Sequence, residues 1–225
     1  DYDEAFSLIQ TVDSGYLMAG RVYWYVGGCD LLLVKVDSIG NPEWSKIYGW
    51  NVTDEARDLV KTANSGYIVA GWTQSVGAEP DALLVKVDSG GNIEWKKTYG
   101  GTGVEWACSI VRYGITELYA VAGFSEDNFW FFEIDSFGNL RWDKKFGGDG
   151  HEYAWSIVKT SDGGLAIAGY GAPYGTAITD AILVKVGLWK PVGGVAIPVD
   201  KLTLLAPYIG LASTIIVTTV SAAIY

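Results

Sequence analysis

The chain repeats one pattern four times, and an internal repeat limits the possible folds more than any other feature of a sequence. The clearest copy, DALLVKVDSGGNIEWKKTYGG, begins at Asp81. Similar copies begin at Asp30 and Asn128, and a shortened one begins with DAILVKV at Asp180. Each full copy contains an apolar strand, a turn with Gly and Asn, and a second strand with one Trp. This order predicts a β-hairpin, because Asp, Asn and Gly supply the hydrogen bonds and the positive φ that its turn needs.

A second pair of strands precedes each hairpin, so that each repeat has four short strands in about 50 residues. The segments that contain this pair begin at Glu4, Glu55, Glu105 and Glu152. The third strand of a repeat is apolar on both faces, as expected of a strand that is covered on both sides. Four antiparallel strands of this length are the size of one propeller blade. We therefore predict an all-β fold, a β-propeller of four approximately 50-residue four-stranded blades within residues 1–191.

One Trp recurs in the fourth strand of each repeat, in a chain with 10 Trp and 14 Tyr. We interpret this aromatic content as core packing rather than as ligand stacking. The residues that we expect between neighbouring blades are Trp44, Trp95, Trp142 and, as a weaker counterpart, Trp189.

Repeats of the form VKVDSxGNxEWxKxYGG, with DGGYxxAG between them, resemble the β-propeller-like repeats of archaeal and bacterial cell-surface proteins. The resemblance covers residues 3 to about 190. It implies an architecture and an extracellular location at the cell surface, but no activity, because such folds host unrelated functions. The chain begins at Asp1 without Met, from which we infer that a signal peptide has been removed, although other proteolysis would leave the same start.

Residues 192–225 differ in composition and form a hydrophobic tail with no charged residue after Lys201. The run 202–225 is long enough to cross a bilayer as a helix. Its sequence also resembles the C-terminal anchors of archaeal surface proteins, but it lacks their basic cytoplasmic stub. The segment 214–220 is rich in β-branched residues, which suits a strand. The tail therefore has three candidate states: a helix in the membrane, a helix packed on protein, or a strand added to a neighbour.

We predict that the tail buries its apolar side chains in a homopolymer and so joins subunits. Burial of one large aliphatic side chain is worth about 1.5–3 kcal/mol, so the set can offset the cost of association. The residues predicted to lie between subunits are Val195, Ile197, Leu204, Leu205, Ile209, Leu211, Ile215, Ile216, Val217, Val220 and Ile224.

Composition argues against several classes of function. The formal net charge of −10 is unfavourable for a nucleic-acid partner. With one His and two Cys the chain offers no zinc-type pattern, and we predict no metal, no cofactor and no catalytic set. His151 lies in a Gly-rich turn, where a surface position is expected. We interpret the repeated Asp-Ser-x-Gly-Asn segments as hairpin turns, because they are too short for a calcium loop.

Three smaller features have alternative interpretations. The four repeated Glu residues either form a ring of carboxylates at one mouth of a channel or satisfy their own turns and nearby Lys. Cys29 and Cys108 lie in non-adjacent repeats, too far apart in a four-bladed ring for a disulfide, so two free thiols are an alternative to the bond. Asn51 begins the sequon Asn-Val-Thr and is a glycosylation candidate.

The sequence thus favours a non-enzymatic extracellular structural protein that forms a cell-surface filament through its hydrophobic tail. The alternative is a propeller module, anchored in the membrane through 202–225, whose loops bind a glycan or protein ligand in adhesion.

Overall fold

The computed structural model describes residues 2–24, 27–50, 52–74, 78–114, 117–147, 150–171 and 180–187, with two short strands of the tail, 203–205 and 216–221. The described residues form strands, turns and bends, and none of them is helical. The all-β prediction is therefore confirmed.

The strands fall into four consecutive antiparallel units. Unit 1 contains β1 (Tyr2–Gln10), β2 (Tyr16–Trp24), β3 (Gly28–Val36) and β4 (Pro42–Tyr48). Unit 2 contains β5 (Thr53–Lys61), β6 (Tyr67–Gln74), β7 (Asp81–Val87) and β8 (Ile93–Tyr99). Unit 3 contains β9 (Glu105–Tyr113), β10 (Leu118–Ser125), β11 (Asn128–Ile134) and β12 (Leu140–Phe146). Unit 4 contains β13 (Tyr153–Lys159), β14 (Leu165–Gly171) and β15 (Asp180–Gly187).

Within units 1 to 3, each strand pairs with the next one along the chain. Unit 4 pairs its three strands in the same way. A parallel bridge between Cys29 and Thr53 links the sheets of units 1 and 2. The period seen in the sequence is thus the period of the sheets.

The tail contributes two strands, β16 (Thr203–Leu205) and β17 (Ile216–Ser221). β17 pairs with β15 in parallel, and β16 pairs with β17 in antiparallel orientation. Both described segments of the tail are therefore strands, and in this single chain both belong to the sheet of unit 4.

A β-bulge in the first strand of each unit explains the repeated Ala-Gly of the second strand. The register shifts between Ala5 and Ser7 in unit 1 and between Ala56 and Asp58 in unit 2. The bulge brings the first strand against the Gly of the second, so that a Cβ on Gly71 would lie 1.7 Å from the carbonyl oxygen of Glu55. Glycines at the same position in units 1, 3 and 4 face the same obstruction, with carbonyl oxygens 1.8 Å away. Only glycine fits there.

The Asp-Ser-x-Gly-Asn segments are hairpin turns held by their first residue. The Asp88 carboxylate accepts the backbone N–H groups of Gly90 and Asn92 and the side-chain amide of Asn92, at 2.8–2.9 Å. These hydrogen bonds lower the pKa of Asp88. Gly91 has a φ of 74°, which glycine adopts without strain. The turns that begin at Asp37 and Asp135 repeat this arrangement.

The core consists of three apolar layers, one between each pair of consecutive units. The third strand of unit 2 contributes to two of them: Leu83 and Val85 face unit 1, whereas Ala82 and Leu84 face unit 3. This double burial is the physical reason for the apolar runs in the third strands. In the described part of the chain, no apolar layer joins unit 4 back to unit 1.

Candidate self-association surfaces

Each full hairpin turn after the first docks onto the fourth strand of the preceding unit. A Cβ on Gly91 would lie 3.0 Å from the indole of Trp44, so that the indole packs directly against the turn of unit 2. The hydroxyl of Tyr48 donates to the Gly91 carbonyl at 2.6 Å, and the Lys46 ammonium donates to Asn92 Oδ1 at 2.7 Å. Burial raises the pKa of Tyr48 to about 12. We call this contact the turn–strand lock.

The same lock joins units 2 and 3. The indole of Trp95 packs against Gly138 and donates to the Ser136 carbonyl at 3.2 Å. Tyr99 donates to the Gly138 carbonyl at 2.7 Å, and Lys97 donates to Asn139 at 2.9 Å. The repeated Trp, Lys and Tyr of the fourth strand therefore hold the next unit in register.

Trp142 occupies the corresponding position in unit 3 and packs edge-on against Phe131, with ring centroids 4.9 Å apart. It is partly buried against the layer between units 3 and 4. Trp189 and the glycosylation candidate Asn51 lie outside the described residues.

A row of polar side chains crosses the first strands at the residue after the bulge. Ser7 donates to Asp58 Oδ1 at 2.7 Å, and Ser109 donates to Asp58 Oδ2 at 2.8 Å. These side chains also accept a backbone N–H from the next unit. Ile110 donates to Asp58 Oδ2 at 2.9 Å, and Ile157 donates to Ser109 Oγ at 3.4 Å. We call Ser7, Asp58, Ser109 and their unit 4 equivalent Ser156 the polar row.

A belt of charged and aromatic side chains lies beside the polar row, on the N-terminal side of the bulges. Its charged part, in units 1 and 2, centres on the fully buried Glu55 carboxylate, which contacts both Arg21 and Arg57 at 2.5 Å. Arg21 also contacts Glu4 at 2.6 Å. Arg57 lies over the ring of Trp106, 5.3 Å from its centroid, and so connects the two parts of the belt.

The aromatic part of the belt continues through units 3 and 4. Trp106 stacks on Trp72, with centroids 4.9 Å apart, and contacts Phe124 at 5.1 Å. Phe124 meets Tyr153 edge-on at 4.4 Å. The belt ends at Trp155 and Tyr170, which are exposed in unit 4.

The four repeated Glu residues are not equivalent in register, so the ring of four like carboxylates, one of the two alternatives considered, is not formed. In units 1 and 2 the Glu precedes the Ala that opposes the glycine, as Ala56 opposes Gly71. In units 3 and 4 the residues in that place are Trp106 and Tyr153, because Ala107 opposes Gly123 and Ala154 opposes Gly169. If the repeats are aligned on their Glu residues, units 3 and 4 are shifted by one residue relative to units 1 and 2. In a strand, a shift of one residue moves every side chain to the opposite face of the sheet.

In register Glu105 corresponds to Asp54 and Glu152, which are buried carboxylates, and to Asp3, which is exposed. Asp54 is fully buried, accepts the backbone N–H of Trp50 at 2.8 Å and accepts the hydroxyl of Thr73 at 2.6 Å. Glu105 is also fully buried and accepts the hydroxyl of Ser125 at 3.1 Å. Asp54 thus binds a residue between units 1 and 2, Glu105 binds within unit 3, and the buried carboxylates do not form an exposed ring.

The remaining candidate residues are two cysteines and one histidine. Cys29 and Cys108 are both free and buried, and burial raises the pKa of the Cys108 thiol to about 12. His151 is exposed, with its Nδ1 2.8 Å from Asp127. Among the described residues there is no group of three or more His, Cys, Asp or Glu side chains that could hold a metal ion.

The tail residues predicted to lie between subunits are only partly described. Leu204 and Leu205 belong to β16, and Ile216, Val217 and Val220 belong to β17. The others, Val195, Ile197, Ile209, Leu211, Ile215 and Ile224, lie outside the described residues. No described segment is a helix with the length and hydropathy needed to cross a bilayer.

Both end units expose a face that interior units bury. The apolar side chains of unit 2 that face unit 1 are at most 3% exposed. Their counterparts on the outer face of unit 1 are only partly covered: Tyr16, Met18, Leu32, Val34 and Val36. Leu8 is 57% exposed, against 3% for its equivalent Leu59. On the outer face of unit 4, Ala168 and Ala181 are exposed and Leu183 is partly exposed.

Comparison with known proteins assigns no family. No family model matches the chain, and no curated protein matches it. Among solved structures, it is similar to a protein of unknown function from Bacteroides caccae, with 14% sequence identity and a TM-score of 0.49. That match covers 79% of this chain and 59% of the other, so this chain spans less than two thirds of the length of its structural neighbour.

Proposed function

We propose that this chain is a non-enzymatic structural protein of the cell exterior, built as a β-propeller-type arc of four blades, which assembles into a filament through its tail. The units are the blades, and their first strands β1, β5, β9 and β13 form the inner edge. Contacts of β5 with β1 and β9, and of β13 with β9, support this arrangement. The repeated sequence that resembles those of cell-surface proteins supports the location.

The observation that carries the proposal is the position of β17. In units 1 to 3, the fourth strand of the same repeat pairs antiparallel with the third. In unit 4, the described partner on that side of β15 is a strand from the tail, paired in parallel over residues 182–187. The sheet of unit 4 is therefore completed by a segment that is distant in sequence. This segment runs parallel to β15, whereas the fourth strands of units 1 to 3 run antiparallel to their third strands.

A strand of this kind can be exchanged between identical chains. β17 fills an edge by main-chain hydrogen bonds, which is how an extended segment adds to the sheet of another molecule. The segment 188–215 separates it from β15, and an extended chain covers about 3.3 Å per residue. The tail is therefore long enough to reach the edge of a neighbour as well as its own. Exchange of an identical element has a low energetic cost, because the contacts in the swapped and unswapped forms are the same.

Head-to-tail exchange leads to a filament. Each chain would give its β17 to the next chain and receive one from the chain before. Such a heterologous contact generates an open polymer unless its rotation closes a ring. The apolar tail residues support this assignment, because a hydrophobic segment needs a surface that covers it.

The alternative is a membrane-anchored module that binds a glycan or protein. The exposed rings of Trp155 and Tyr170 are the feature that favours it, since sugars and peptides stack on such side chains. However, the equivalents of Tyr170 in units 2 and 3, Trp72 and Phe124, are at most 9% exposed because the following unit covers them. The position at the end of the arc accounts for the exposure without a ligand.

The test is deletion of residues 195–225, followed by negative-stain imaging and mass photometry. We expect the full chain to form filaments and the truncated chain to form none. A matched pair of point variants separates strand pairing from hydrophobicity: Thr218→Pro removes a backbone donor from β17, whereas Thr218→Ala keeps it. We expect only the Pro variant to lose filaments. If the truncated chain forms the same assembly, the tail is not the connector and the anchored module replaces the proposal.

A further inference from the structure

We propose that two copies of this chain close one ring of eight units, in which the outer face of unit 4 of each copy packs on the outer face of unit 1 of the other. The proposal rests on the propeller-type arrangement given above but not on exchange of the tail. The interface would repeat the contacts that already join units 1 to 2, 2 to 3 and 3 to 4 inside one chain.

The outer face of unit 4 has side chains similar to those with which units 1 and 2 contact the unit that follows them. On the second strand, the position before the glycine is Ala in every unit: Ala19, Ala70, Ala122 and Ala168. The first three are buried by the following unit, and Ala168 is exposed. On the third strand, the corresponding residues of units 1, 2 and 4 are Leu33, Leu84 and Leu183. Unit 4 therefore has the same small and aliphatic side chains at these positions as the buried faces of units 1 and 2, whereas unit 3 has Phe131 in place of the leucine.

The outer face of unit 1 has the same kinds of side chain as the face of unit 2 that packs on unit 1. Tyr16 corresponds to Tyr67, and Val34 corresponds to Val85, as the strand pairing shows. Tyr67 and Val85 are at most 3% exposed in the layer between units 1 and 2. The two free faces are therefore the two halves of one layer that the chain forms three times by itself.

The polar row ends at the same two faces. Ser109 accepts the N–H of Ile157 from unit 4, whereas Ser156 is exposed and no further unit packs beside it among the described residues. At the other end, Leu8 is the equivalent of Ile157, with no preceding unit beside it. In the ring, Ser156 of one copy would lie next to Ser7 and the N–H of Leu8 of the other. The row would then run unbroken through eight units.

The belt continues across the same contact. Within the chain, the residue after the glycine of one unit meets the residue that precedes the bulge Ala of the next unit, as Arg21 meets Glu55 and Phe124 meets Tyr153. The corresponding pair between copies is Tyr170 and Glu4. A tyrosine hydroxyl can donate to this carboxylate, so the contact is chemically matched.

Reciprocal contact explains why the assembly would close. Two copies related by a two-fold axis form the unit 4 to unit 1 contact twice and leave neither face free. One copy alone leaves both faces partly exposed, and exposed apolar surface of this kind marks protein interaction sites.

Cysteine cross-linking tests the contact directly. In the polar row, side chains of adjacent units lie within hydrogen-bond distance, so Cys at positions 7 and 156 would meet only between copies. We expect the double variant Ser7→Cys, Ser156→Cys of the full chain to give a covalent dimer on a non-reducing denaturing gel. Each single variant should remain at the monomer mass, and the two native thiols are buried.

A second measurement does not depend on a disulfide. Val34→Glu places a charge in the proposed interface, and Ile39→Glu places the same charge on an exposed turn of the same unit, where Ile39 is 83% exposed. In the background of the tail deletion, we expect the parent and Ile39→Glu to sediment as dimers and Val34→Glu as a folded monomer, with at least tenfold weaker association.

The outcomes are distinct from those of the tail experiment. Loss of filaments on tail deletion with retention of the covalent dimer supports both proposals, and a covalent dimer without filaments in the full chain supports only this one. A double-Cys variant that stays monomeric with free thiols overturns the ring. An internal disulfide in a monomer also overturns it, because one chain would then close on itself, and a ladder of higher oligomers would show an open chain of contacts instead.

Discussion

At the scale of single residues, glycine and tyrosine mark where backbones come close. The glycine of the Ala-Gly pair is required by the bulge opposite it, and the turn glycine is required both by its φ and by the indole that packs on it. Tyr48 and Tyr99 each donate a hydroxyl to the carbonyl of such a turn glycine. The repeated Gly and Tyr residues are therefore found where strands, or neighbouring units, contact each other.

We expect Gly71→Ala to lower the free energy of unfolding by about 3 kcal/mol or more, because its Cβ would overlap the Glu55 carbonyl and the backbone would have to move. The measurement is urea unfolding followed by Trp fluorescence. Gly90→Ala is the matched control, since its Cβ would meet its nearest neighbour at 3.4 Å, an ordinary contact. Equal stabilities of the two variants would contradict the role assigned to the bulge.

At the scale of elements, the hairpin turn both reverses the chain and holds the neighbouring unit. The turn of unit 2 accepts hydrogen bonds from Tyr48 and Lys46 of unit 1. In the described structure no fourth strand packs on the turn of unit 1, and a Cβ on Gly40 would touch nothing within 4 Å. Comparison of the two turns therefore isolates the stability that the second turn gains from its contact with unit 1.

We expect Asp88→Ala to be more destabilising than Asp37→Ala by about 1–2 kcal/mol. Both variants lose the same hydrogen bonds inside the turn, but a loosened second turn also weakens the lock with unit 1. Chemical denaturation of the two variants at low protein concentration gives the difference. If both substitutions cost the same, the turn–strand lock contributes no net stability.

At the scale of the whole molecule, the chain is a row of similar units in which each packs on its neighbours. In such repeat architectures stability comes from each unit and from its interfaces, so end units are the weakest. β1 lies at one end, and all of its residues are exposed or partly exposed. β5, its equivalent in unit 2, is packed between neighbours.

We expect the backbone amides of β1 to exchange with solvent faster than those of β5 in dilute protein. At concentrations where the proposed ring of two copies forms, protection of β1 should rise at least tenfold while protection of β5 changes little. Hydrogen exchange with mass spectrometry at two protein concentrations measures β1 and β5 together in each sample. Unchanged exchange of β1 in a sample shown to be dimeric would place the contact elsewhere.

The sequence alone determined what depends on neighbouring residues. Alternating and continuous apolar runs indicated strands, the Asp-Ser-x-Gly-Asn segments indicated hairpins, and the period of about 50 residues indicated four equal units. These signals are local, because a turn is specified by a few side chains that bond to their own backbone, as Asp88 does. For this reason the all-β class could be read directly from the letters.

The tertiary structure decided what depends on register and on contacts between distant segments. The bulge showed that Glu55 corresponds to Trp106 rather than to Glu105, which strand pairing alone reveals. The lock between Trp44 and Gly91, and the pairing of β17 with β15, join residues far apart in the chain. No local pattern encodes such pairs, because a one-residue shift leaves the composition unchanged while it exchanges the two faces of a strand.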